Sequence, residues 1–242
     1  MEKRWRALLG ALVALSALGA LGTARAQHMP LPPEELYERL APSVWLVEVR
    51  RADGEGGLGS AVVIAPETLV TNCHVVEKAS TIAVAHEGRR LPARVQYSDT
   101  ARDLCQLQAP GLAAPAVRIA SASSLRVGAT VYALGNPRGL ELTLSHGLLS
   151  ALRRNPSGAV QYLQVSVPIS PGSSGGGLFD VYGRLVGITT FLIKESQNLN
   201  FAMPADFVVE LPQRSGGTAV ARLDPPILPL PRPQPPVASA PA

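Results

Sequence analysis

Ser170-Pro171-Gly172-Ser173-Ser174-Gly175-Gly176-Gly177 is the stretch on which the reading of this 242-residue chain turns. Glycines on both sides of a serine pair let the backbone turn sharply without Cβ clashes. Such a turn can aim the amides of Gly172 and Ser174 at one point beside the Ser174 hydroxyl. That combines a nucleophile with donors for a developing oxyanion. Ser174 fits the nucleophile better than Ser173 because it heads Ser-Gly-Gly, and Gly172, Ser173 and Ser174 together form the candidate oxyanion segment. On either side the chain runs in short apolar or alternating segments, at 44–49, 60–64, 81–85, 93–97, 104–107, 130–134, 142–151, 162–165 and 185–192, broken by Gly, Pro, Asn and Asp. Short strands at this spacing argue for an all-β sandwich or barrel.

A serine nucleophile needs a base. Of four histidines, His28 lies in a Pro-rich N-terminal stretch, His86 precedes a Glu-Gly turn, and His146 lies within a strand-like run. His74, in Leu69-Val70-Thr71-Asn72-Cys73-His74-Val75-Val76, sits where a strand ends. The acid that would orient it is Asp103, in Arg102-Asp103-Leu104-Cys105-Gln106-Leu107. An aspartate at the start of a buried strand is costly unless paired, and an imidazole N–H is a suitable partner. Asp99, in a polar Ser-Asp-Thr turn, is the rival.

These segments resemble the trypsin/chymotrypsin-like serine peptidases, most closely their Deg/HtrA-related branch, over about residues 40–206. The resemblance is carried by Gly57-Leu58-Gly59-Ser60-Ala61, Thr71-Asn72-Cys73-His74-Val75-Val76, Asp103-Leu104, Ala133-Leu134-Gly135-Asn136-Pro137, Gly147-Leu148-Leu149-Ser150-Ala151, Pro171-Gly172-Ser173-Ser174-Gly175-Gly176 and Asn200-Phe201-Ala202-Met203-Pro204, in the family's order. It implies two packed antiparallel β-barrels with short terminal helices, lobes at about 43–120 and 126–204 of a peptidase domain over 34–212, and a catalytic triad of His74, Asp103 and Ser174 between them. No metal-ligand cluster, dinucleotide fingerprint or phosphate loop stands out in the sequence, so no cofactor and no metal is expected. The chain departs from the family pattern where Ser173 replaces Asn and Ser166 replaces an Asp. It also runs into a Pro-rich segment where a PDZ-like domain is expected, so oligomeric state stays open.

In the implied fold the specificity pocket is walled by Val167-Pro168-Ile169-Ser170-Pro171 and by Ile188-Thr189-Thr190-Phe191-Leu192, with Ile169, Ser170, Thr189, Thr190 and Phe191 as the expected substrate contacts. Neither wall carries an acid, so cleavage is expected after a small or medium apolar residue in an extended or unfolded protein or peptide. If His74 and Asp103 are hydrogen-bonded, Cys73 and Cys105 must be neighbours. An exported chain would join them as a disulfide; the alternative is two buried free thiols. Two other functions compete: a binding or scaffold protein on a protease-like fold, and a serine esterase. The esterase would need alternating helices, parallel strands and the order Ser, Asp, His, and neither the pattern nor the order is present.

Residues 1–26 read as a secretory signal peptide. Lys3, Arg4 and Arg6 precede an apolar run and Ala24-Arg25-Ala26 ends it, which implies a periplasmic or secreted protein with no membrane anchor after cleavage. The leader holds four of the 22 basic residues and one of the 18 acids, so 18 bases and 17 acids remain. No basic patch with interleaved aromatics suggests nucleic acid. Residues 33–40 read as an amphipathic helix with Pro first and two acids in its first turn. Residues 205–211 read as a closing helix. Residues 213–242 are expected to form a disordered Pro-rich tail, a spacer or a docking segment for another protein, with eight prolines in 225–242.

Overall fold

A computed structural model describes residues 29–139, 142–192, 199–215 and 223–224. The expected signal peptide and most of the Pro-rich tail lie outside the described residues. Helix α1 (Pro33–Leu40) opens the described chain and buries Leu36 and Leu40. Six strands follow: β1 (Val44–Arg51), β2 (Gly56–Ala65), β3 (Thr68–Thr71), β4 (Ala79–His86), β5 (Arg89–Asp99) and β6 (Leu104–Gln108). They close into an antiparallel barrel in the order β1-β2-β3-β6-β5-β4. Between β3 and β4 the chain makes one helical turn, α2 (Cys73–Val76), where the sequence showed only a strand end.

The second half contributes β7 (Ile119–Ala120), β8 (Thr130–Gly135), β9 (Thr143–Arg154), β10 (Val160–Val165), β11 (Gly177–Asp180), β12 (Leu185–Leu192) and β13 (Asn200–Pro204). Their sheet runs β11-β8-β9-β10-β13-β12, and a further pairing of β11 with β12 closes these six into a second barrel. Helix α3 (Asp206–Arg214) closes the domain against β5 and β6. Its Arg214 reaches back to Asp99 at 2.6 Å. The expected tail is not wholly outside the fold: Leu223–Asp224 form β14, parallel to β7. A two-residue strand with an open edge gives an extended segment backbone partners, which composition alone does not reveal.

Strand period two explains how the barrels pack. On β2, Ala61 and Val63 point into the first barrel, while Val62 and Ile64 point out of it. On β8, Val131 and Ala133 point into the second barrel, while Tyr132 and Leu134 point out. The two outward sets meet with Val44, Val70, Leu104, Phe179, Leu185, Ile188, Met203 and the buried faces of α1 and α3 in one apolar cluster between the barrels. Strands that are buried on both faces read as continuous apolar runs, and β2 is buried from Gly59 to Ala65 except at its rim. This shared layer fixes the two barrel edges that carry the candidate site residues.

Candidate active site

Strand β3 ends at Thr71, and α2 turns the next residues toward β6. Asp103 precedes β6 with φ 52° and ψ 39°, a left-handed conformation that Asp tolerates better than most residues. Its carbonyl accepts from the Cys73 N–H at 3.2 Å and from Asn72 Nδ2 at 2.9 Å. The carboxylate accepts from the His74 N–H at 2.9 Å through Oδ1, and lies 2.7 Å from His74 Nδ1 through Oδ2. Thr190 Oγ1, from β12 of the second barrel, donates to the same Oδ2 at 2.9 Å. Burial pushes the Asp103 carboxyl up, but the ring and backbone hydrogen bonds from His74, its charge and the Thr190 hydroxyl outweigh that, and its pKa lies below the usual carboxylate range. A carboxylate on Nδ1 makes that nitrogen the proton carrier and leaves Nε2 as an acceptor. Asp99 takes no part. It is buried and held by Arg102 and Arg214.

Cys73 and Cys105 form a disulfide across 32 residues. Both are buried in the core of the first barrel. The bond joins the residue before His74 to the residue two beyond Asp103, as expected from the sequence.

Ser174 comes from the loop before β11. Ser170 to Ser173 form a turn closed by Ser173 N–H to Ser170 O at 2.9 Å. Gly172 has φ +94°, and a Cβ there would overlap the backbone at Asn136 and Arg138. Gly175, at φ +85°, lies so close to Ser60 O and Thr71 Oγ1 that only glycine fits. The Pro171 carbonyl accepts from the Arg138 N–H at 2.8 Å, which turns the following Gly172 N–H the other way. Neither the Gly172 nor the Ser174 N–H meets an acceptor among the described residues. The amides of Gly172 and of Ser174 itself, on either side of Ser173, are therefore both free to meet an acceptor, which is what candidate oxyanion donors require. Ser173, counted with them from the sequence, is spent otherwise. Its amide closes the turn, and its carbonyl takes the Gly176 N–H and the Thr189 hydroxyl. The Ser174 hydroxyl itself donates to the Thr190 carbonyl at 2.9 Å.

One residue that the sequence did not mark is Ser60 on β2. Its N–H donates to Ser174 O at 2.8 Å and its hydroxyl to Gly172 O at 2.9 Å, while the hydroxyl accepts from the Asn136 N–H. The first barrel thereby grips the serine loop of the second. Its signal was present as the Ser of Gly57-Leu58-Gly59-Ser60-Ala61, but nothing local distinguished it from an ordinary buried strand serine.

The expected pocket residues divide. Ser170 and Thr189, with Pro168 and Ser173, line a cavity of about 110 Å³ closed by Ala133, Leu134 and Thr143. Thr190 is buried and turned to Asp103. Ile169 does not line this cavity. It is buried in the core of the second barrel with Leu149, Leu163 and Val167. Alternation puts Pro168 and Ser170 on one face of the segment and Ile169 on the other. The Phe191 backbone pairs with Phe201 in β13; its side chain lies outside the described residues. Pro171 and Gly172 also border a larger groove of about 740 Å³, which no motif foretold.

Residues 59–188, more than half of the chain, match the trypsin-like peptidase domain. The periplasmic serine endoprotease DegP of Salmonella typhimurium is 38% identical over 165 residues, which cover 64% of this chain and 34% of that protein. Among solved structures, the HtrA-type protease AlgW with a tripeptide superposes with a TM-score of 0.69 at 34% identity, over 76% of this chain and 63% of that one. A serine endoprotease from Yersinia pestis superposes at 0.66 with 29% identity, over 77% and 67%. The chain spans between 34% and 44% of the length of the curated relatives it matches. Sequence motifs, double-barrel topology and these matches agree: the chain belongs to the trypsin-like peptidase family, close to the DegP and HtrA-type proteases.

Proposed function

We propose that this chain is an exported serine endopeptidase, with Ser174 as nucleophile, His74 as general base and Asp103 as the acid that orients it. One observation carries the reading: His74 Nδ1 on Asp103 Oδ2 at 2.7 Å, beside a loop that carries the Ser174 hydroxyl and two unpaired amides. In the mechanism, the Ser174 hydroxyl turns from the Thr190 carbonyl to His74 Nε2. His74 takes its proton as Ser174 Oγ attacks the substrate carbonyl carbon. The carbonyl oxygen becomes an oxyanion held by the Gly172 and Ser174 amides. Collapse breaks the C–N bond, and His74 gives its proton to the leaving amine. Water, deprotonated by His74, then attacks the acyl-enzyme, and Ser174 leaves with the proton returned. Asp103 keeps the imidazole in one tautomer and stabilises its charged form.

The small cavity bounded by Ser170 and Thr189 has no charged side chain in its wall, which supports a small apolar residue on the acyl side of the cut. Beyond Thr189, whose backbone bonds Gly175 N–H and Gly176 O, the β12 edge on the β11 side has no strand partner among the described residues. An extended peptide can add there as a strand, so unfolded proteins are the substrates this reading favours. Periplasmic location is supported by the signal-like leader sequence and by relatives described as periplasmic endoproteases.

A second reading is a binding protein without turnover. It is favoured by one feature, the Ser174 hydroxyl lying on Thr190 O rather than on His74. Labelling by a fluorophosphonate probe separates the two. Wild-type protein should label and cut an unfolded protein substrate, and Ser174→Ala should do neither. Absence of labelling in folded wild-type protein would remove the peptidase reading.

A further inference from the structure

The groove of about 740 Å³ beyond the Pro171-Gly172 turn lies between the outer wall of the first barrel and the serine loop. Glu48, Arg50, Leu58, Thr81 and Arg90 form the barrel side, and Arg138, Pro171 and Gly172 form the other. Alternation along β1 places Val47 and Val49 in the barrel core, and hence Glu48 and Arg50 on the outside. Leu58, on the groove floor, is 47% exposed.

The charges do not balance. Arg90 is paired with Glu48 at 2.7 Å. The guanidinium groups of Arg50 and Arg138 have no partner among the described residues. The groove thus carries three cations and one anion, and its two unpaired cations stand at opposite walls.

Its place relative to the chemistry follows from the turn. An acyl segment paired along β12 reaches Ser174 from the Thr190 side. The amine portion must leave on the other side of the oxyanion amides, and the wall met there is Gly172, then Arg138. We propose that this groove is the leaving-group subsite of the peptidase and that Arg50 and Arg138 select acidic residues just after the cut bond. The inference rests on the peptidase reading above and deepens it. Arg138 acts on specificity through its side chain, separately from its backbone N–H on Pro171. An exposed arginine–carboxylate pair changes affinity by about two- to fivefold, and two pairs in one groove by roughly tenfold. Salt should weaken both, since exposed charges are screened within about 10 Å at 0.1 M ionic strength.

The test uses three internally quenched peptides that share the acyl side and carry Asp-Glu, Ala-Ala or Lys-Lys at the second and third positions after the cut. Wild-type kcat/KM should rank acidic above neutral above basic, with a ratio of about tenfold between the extremes at low salt. In Arg50→Gln/Arg138→Gln that ratio should fall to about one, and 0.5 M NaCl should compress it in the wild type. Circular dichroism melts establish that the variant is folded. Equal cleavage of all three peptides, abolished by Ser174→Ala, would keep the peptidase and overturn the subsite. A preference for the basic peptide, or an acidic preference that survives in the variant, would overturn it too. Failure to cut any of the three, with no fluorophosphonate labelling, would remove the peptidase reading and the subsite together.

Discussion

Removing the Cys73–Cys105 disulfide should cost stability far more than it costs catalysis. The bond spans 32 residues, and closing such a loop in the unfolded chain is worth about 3.7 kcal/mol at 25 °C on the chain-entropy model. For a domain of this size each kcal/mol moves the melting temperature by about 2–4 °C, so a shift of about 7–15 °C is expected for Cys73→Ala/Cys105→Ala. The acid and base stay joined without it. The His74 N–H, the His74 ring, the Thr190 hydroxyl, the Asn72 amide and the Cys73 N–H all still bond Asp103. At 25 °C, well below the melting point, kcat should therefore stay within about threefold of wild type, because charge-assisted hydrogen bonds of about 1.5–3 kcal/mol each hold the geometry. The assay pairs calorimetric melts with peptide turnover, after intact-mass analysis with and without reductant has shown the bond in the purified protein. An unchanged melting temperature would refute the loop-entropy argument. A hundredfold loss of kcat in a variant that melts high would show that the disulfide, not the hydrogen bonds, holds the base to its acid.

Three further outcomes are expected. Ser174→Ala and His74→Ala should each lower kcat by roughly 10⁴–10⁶, and the double variant should lose little more, because the members act as a unit; additive losses in single-turnover assays would contradict that. Asp103 has a folded pKa below its unfolded one, so its contribution to stability is present above about pH 4 and is lost as the pH falls through the folded value. Urea midpoints measured from pH 2 to 6 should fall less steeply with acid in Asp103→Asn than in wild type, and parallel curves would contradict the shift. Arg184, on the β11–β12 hairpin, is buried with Asp180 at 2.6 Å. Arg184→Ala takes the counter-charge and the Oδ2 donors from the buried carboxylate, leaving it the two backbone N–H groups of residues 182 and 184 on Oδ1, and should cost about 3 kcal/mol, measured by denaturant unfolding; a loss under 1 kcal/mol would mean that those two amides and water suffice for Asp180.

Most of the barrels could be read because their strands are long enough to show a period. The expected runs at 44–49, 93–97 and 185–192 fall inside β1, β5 and β12. The elements missed were those whose sequence carries no period. β7 has two residues, and β11 begins inside the glycine run that also forms the serine loop. Ile169 was placed one residue out of phase, and in a strand-like segment one residue exchanges core for pocket. The site itself was legible in its residue types, since His74, Asp103 and Ser174 stand in recognisable local contexts. What supports them was not. Ser60 and Thr190 act across the barrel boundary, and contacts 76 to 112 residues apart in sequence leave no local trace.

The orientation of the Ser174 hydroxyl is the one feature that favours an inert protein, and its weight can be worked out. Moving the hydroxyl to His74 breaks one neutral hydrogen bond to Thr190 O, worth about 0.5–1.5 kcal/mol, and makes another of similar strength. Taken alone, the loss is a factor of about ten at most, and the new bond returns most of it. Rebuilding an oxyanion site is a larger matter, because each preorganised donor is worth about 10²–10³ in rate. The costly part is already in place. The turn is closed, Pro171 O is held by Arg138, Gly172 O by Ser60, and the two amides are unpaired. The fold also spends glycine at φ +94° and +85°, conformations that destabilise the chain unless something is gained by them. An inert scaffold has no need to hold two donors unpaired beside a serine. A peptidase does, and in the mechanism proposed above the Ser174 hydroxyl turns away from Thr190 O to use them.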